Sequence, residues 1–82
     1  MSPQPEHMQA PGVIRVIEIV GISERSWSDA ARQAVVRASQ TVRHITGIEV
    51  LNSTGIVRDG KIVEYRVNLK LAFIVEPAEI MA

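Results

Sequence analysis

The chain has 82 residues, 46% of them hydrophobic, with nine Lys and Arg set against nine Asp and Glu and no cysteine. The balanced charge offers no basic footprint for a nucleic-acid backbone, the missing cysteines exclude disulfides and thiolate metal sites, and no apolar run approaches the ~20 residues of a membrane-spanning helix. What remains is a single small domain with more apolar side chains than so short a chain can bury alone, so association with further copies is the expected source of stability.

Met1 to Gly12 carries Pro3, Pro5 and Pro11 among polar residues, without periodicity. Residues 1–12 therefore read as a disordered leader, in which His7 is a solvated side chain. The leader has no cationic start followed by an apolar core, so a cytoplasmic location is expected. The ordered domain is expected over residues 13–77. Its first strand is Val13 to Val20, VIRVIEIV, closed by Gly21. Apolar side chains on both of its faces predict a strand covered on both sides, by the helix on one and by a neighbouring subunit on the other.

Ser26 followed by Asp29 makes a capping-box-like helix start. From there Trp27, Ala30, Ala31, Ala34, Val35, Ala38, Thr41, Val42 and Ile45 recur at steps of three and four. That spacing predicts an amphipathic helix of about nineteen residues, with Ala30, Ala34 and Ala38 as a ridge of minimal side chains that lets the sheet approach closely. Gly47 stands where a left-handed residue would end it. Arg32, Gln33, Gln40, Arg43 and His44 point away from the apolar stripe, as a solvated or intersubunit face or as an anion site.

A second strand is expected from Gly47 to Val57, bulged at Gly55, and Arg58-Asp59-Gly60-Lys61 is a hairpin turn. The third strand, Ile62 to Val75, alternates with a period of two, with Val63, Tyr65, Val67, Leu69, Leu71, Phe73 and Val75 on one face and Arg66, Asn68, Lys70, Ala72 and Ile74 on the other. Pro77 is expected to stop the strand, leaving residues 78–82 as a flexible tail. The fold class is α+β: a β-α-β-β chain whose mixed, largely antiparallel sheet has the order first, third, second and wraps one amphipathic helix. A single helix leaves the even-numbered face of the third strand open, and a partner must cover it.

Catalytic patterns are wanting. The sequence holds no glycine-rich phosphate loop, nucleophile elbow, Cys-His pair or His-x-x-x-His spacing, and an enzyme is not expected. His44 reads as a partner of the helix dipole, Asp59 as a turn residue, and Trp27, Tyr65 and Phe73 as packing residues. Glu18, Glu49 and Glu64 are scattered over the strands, so a cation site would need an oligomer to assemble it.

Taken together, RVIEIVGIS (Arg15 to Ser23), the alanine-rich helix ending in TVRHI (Thr41 to Ile45), IEV (Ile48 to Val50) and EYRVNLKLAF (Glu64 to Phe73) resemble the dodecins. The resemblance covers Ile14 to Glu76 without gaps, through order and spacing rather than one diagnostic motif. It implies a hollow homododecamer of small non-enzymatic subunits that bind and sequester flavins such as FMN and riboflavin; some dodecins also hold coenzyme A. The resemblance puts the flavin pocket at Gly47, Ile48 and Arg66. Typical members carry a tryptophan at the position of Gly47, copies of which sandwich the isoalloxazine rings, and a glutamine at the position of Arg66 that hydrogen-bonds the flavin's polar edge. Two implications stay open: a shell holding FMN or riboflavin weakly in a degenerate pocket, or a structural or calcium-binding shell without flavin.

Overall fold

A computed structural model describes residues 12–75. Apart from Gly12, the expected leader, the stop at Pro77 and the tail over 78–82 lie outside the described residues. The elements are β1 (Val13–Ser23), α1 (Trp27–Ala38), β2 (Ile45–Arg58) and β3 (Lys61–Val75). The sheet order is β1-β3-β2, with both outer strands antiparallel to β3, as the period-two pattern and the single helical crossover require. Asp59 and Gly60 both take positive φ, 52° and 77°, the backbone signature of the tight hairpin turn that joins β2 to β3.

The start of α1 is built as its sequence dictates, with one refinement. The Ser26 side chain accepts the Asp29 N–H at 3.0 Å. The Asp29 carboxylate does not return to Ser26 but accepts from the Ser23 hydroxyl at 2.7 Å, and that same oxygen accepts the Arg25 N–H at 2.8 Å. Ser23 thereby ties the end of β1 to the first turn of the helix.

The helix is shorter than the apolar spacing predicts. It ends at Ala38, and the Thr41 and Val42 N–H groups both fold back onto the Ala38 carbonyl, at 3.1 and 2.8 Å. Ser39 Oγ donates to the Val36 carbonyl at 2.8 Å, completing a local cap. His44, not Gly47, then adopts the left-handed conformation, with φ 61°, and its carbonyl accepts the Ile74 N–H at 3.1 Å. Val42 and Ile45 still pack against the core from the link and from the first residue of β2, so apolar spacing alone extends the helix too far. Gly47 lies inside β2, opposite Ala72, and is not a helix terminator.

Ala30, Ala34, Val67, Leu69 and Leu71 form the buried core, with Ile17, Ile19, Ala31, Ala38 and Phe73 packed around it. The odd-numbered face of β3 therefore meets the alanine ridge. Gly21 does not close β1, which runs on to Ser23, but marks the tightest helix–sheet contact. A Cβ built there would stand 2.9 Å from the Ala30 carbonyl carbon and 3.0 Å from the Ala34 Cβ. Gly55 is paired directly with Tyr65, and the register shifts fall elsewhere, between Ile45 and Gly47, Val50 and Asn52, and Ile56 and Val57. Trp27 reaches this end of the sheet: its indole N–H donates to the Thr54 carbonyl at 2.8 Å, and its ring meets Tyr65 edge-on at 4.8 Å.

The helix packs on β1 and β3, and every residue of β2 from Thr46 to Gly55 is exposed. β1 is covered on one face only within the chain. On its other side Ile14, Val16, Val20 and Ile22 are each more than half exposed, at 59, 51, 53 and 51%.

Candidate ligand site on the open sheet face

The strand register gathers the open face into rows. Val16, Ala72 and Gly47 stand abreast across the three strands, followed by Glu18, Lys70 and Glu49, and further on by Ile22, Arg66 and Thr54. The first row, with Lys70 and Glu49 of the second and with Ile48, lines a shallow cavity of about 380 Å³. Its floor is aliphatic and its rim carries one carboxylate and one ammonium. At Gly47 an added Cβ would meet no atom within 4 Å, so the backbone there faces open space. Ile48 borders this cavity, although its pairing with Leu71 sends its side chain to the helix side of the sheet.

Arg66 is not brought to Gly47. Gly47 pairs with Ala72, which lies six residues along β3 from Arg66, and at ~3.3 Å per residue this separates the two by about 20 Å along one subunit. Arg66 instead engages Glu64, its neighbour on the same strand face, with Nε 2.5 Å from the carboxylate. Both side chains are part exposed, so this pair holds the guanidinium in place more than it stabilises the fold.

The carboxylates do not gather into a metal centre: among the described residues no group of three or more His, Cys, Asp or Glu side chains could hold an ion. Glu18 and Glu49 flank Lys70 on neighbouring strands, and Asp59 belongs to the hairpin turn. The cavity residues beyond the expected Gly47 and Ile48 were within reach of counting. Stepping back from the Asp59-Gly60 turn sets Gly47 opposite Ala72 and Glu49 opposite Lys70, because the intervening register shifts cancel.

The β-α-β-β chain, with its three-stranded sheet and single helix, is matched in known proteins. The family model described as Dodecin aligns with residues 13–76. This chain belongs to the dodecin family. The calcium dodecin of Mycobacterium tuberculosis is 36% identical over 67 residues, covering 82% of this chain and 94% of the relative. The dodecin of Thermus thermophilus is 34% identical over 64 residues, covering 78% of this chain and 93% of its own. The solved structure of dodecin from Streptomyces coelicolor superposes with a TM-score of 0.80 at 40% identity, covering 83% of this chain and 97% of that one. The dodecin fold thus accounts for β1 through β3 and the helix they wrap. No described helix of this dodecin is long and apolar enough to cross a membrane.

Proposed function

We propose that the chain is a non-enzymatic, cytoplasmic dodecin shell, a homododecamer that holds a flavin nucleotide weakly in pockets completed between subunits. The observation that carries this reading is the Gly47 cavity, aliphatic beneath and open above, with Arg66 about 20 Å away on the same face. A ligand that needs both residues must take them from different copies. The exposed aliphatic residues of β1 and the bare length of β2 supply the surface through which copies would meet.

Binding is expected to be weak for a stated reason. Gly47 provides no ring to stack on, and such stacking is worth ~1–3 kcal/mol per ring, or about one to two orders of magnitude in affinity. Arg66 offers donors alone, where an amide both donates and accepts. Titrating FMN and riboflavin with the assembled protein tests this reading. Partial, saturable quenching of flavin fluorescence at protein concentrations above micromolar is expected; no change there contradicts flavin binding.

A second reading, a structural or calcium-dependent shell, is favoured by the Arg66–Glu64 pair, which already satisfies a pocket residue without ligand. One similar protein is named calcium dodecin. The described residues hold no three-ligand cluster, so a calcium site is expected between copies, and loss of assembly in chelator would support this reading over the first.

A further inference from the structure

A second cavity, of about 390 Å³, lies at the opposite end of the sheet from the hairpin and on its helix side, under the link from α1 to β2. Arg15, Arg43 and His44 line it together with Val42, Phe73 and Ile74. Its construction follows from the register. Arg15 and Ile45 both pair with Phe73, so the ring forms a floor between the β1 arginine and the start of β2. The link crosses above and is fastened to β3 by the His44 carbonyl and the Ile74 N–H. His44 holds φ 61°, a conformation uncommon for a residue other than glycine, and Arg43 immediately precedes it.

The geometry points to this cavity as a binding site for a small organic phosphate ester, the phosphoryl group against the guanidinium groups of Arg15 and Arg43 and the apolar part against Phe73 and Val42. Two planar guanidinium groups suit the oxygens of a phosphate, and the volume falls in the range of small-molecule sites, about 300–1,000 Å³. The arginines are not needed to neutralise the helix end. The carbonyls of Val35, Val36, Arg37 and Ala38 are already taken by Ser39, Gln40, Thr41 and Val42. Among the described residues, no acidic side chain lines the cavity. The site is separate from the Gly47 cavity and stands whether or not flavin binds there.

Calorimetric titration of the assembled full-length protein with phenyl phosphate, inorganic phosphate and benzoate tests the assignment. Phenyl phosphate is expected to bind at least tenfold more tightly than either of the others, because it alone offers both the tetrahedral anion and the ring. Arg43→Gln, with assembly verified by native mass spectrometry, is expected to weaken it about tenfold or more, the scale of one lost charged hydrogen bond. Where that variant fails to assemble, Arg43→Lys, which keeps the charge but loses the planar fork, is expected to weaken it severalfold in an intact assembly. No heat with phenyl phosphate at millimolar concentration, equal binding of benzoate, or unchanged affinity in the assembled variant would overturn the assignment.

Discussion

Gly21 on β1 lies directly beneath Ala30 on α1, so close that a methyl group at residue 21 would press on the Ala30 carbonyl. The helix cannot yield without lifting Ala30 and Ala34 off Val67, Leu69 and Leu71, which make up the rest of the buried core. Gly21→Ala is therefore expected to cost about 1–3 kcal/mol, the range for overpacking a dense interior, read as a lower denaturation midpoint at an unchanged slope. Wild-type stability in this variant would mean that the helix sits farther from the sheet.

Trp27 closes the far end of the same layer through its bond to the Thr54 carbonyl and its edge-on contact with Tyr65. Trp27→Phe keeps a ring and removes the donor, so a loss of about 1 kcal/mol is expected. Faster amide exchange should appear around Thr54 and Gly55, on the one strand the helix does not otherwise cover. Uniform exchange across β2 in both proteins would show that the indole does not anchor it.

The flavin pocket makes a constructive prediction. Gly47→Trp with Arg66→Gln restores a stacking ring and an amide at positions about 20 Å apart within a subunit. Flavin quenching is expected to strengthen by about ten- to a hundredfold over the parent chain, and only in the assembled protein. An assembled double variant that does not quench would place the pocket elsewhere.

Much of this architecture is readable in the residues. The alternation from Ile62 to Val75, the Asp59-Gly60 turn and the Ser26–Asp29 cap are local signals, and each appears in the structure where its chemistry predicts. The helix end is different. Val42 and Ile45 keep a helical spacing because they still face the core, yet the backbone leaves the helix at Ala38 and turns at His44. Nor could sequence alone disclose that Gly21 serves a contact across space instead of a strand end. For the site, family likeness selected Gly47 and Arg66, but only the register reveals that one subunit keeps them apart and pairs Arg66 with Glu64.

Val20 separates the isolated-chain account from the assembled one. Its side chain is 53% exposed in a single subunit, on the face opposite the helix. Val20→Asp would change the stability of an isolated subunit by no more than about 0.5 kcal/mol. In a closed shell it buries an unpaired carboxylate against a neighbour, so dissociation to smaller species is expected in sedimentation. An undisturbed assembly would mean that this part of β1 faces solvent.

The central claim, that the uncovered faces of β1, β2 and β3 are closed by further copies of the chain, is tested most directly by native mass spectrometry of the purified protein without additives. The account predicts a single species of twelve subunits, with any co-purified ligand visible as added mass. A stable, monodisperse monomer in dilute buffer would contradict it.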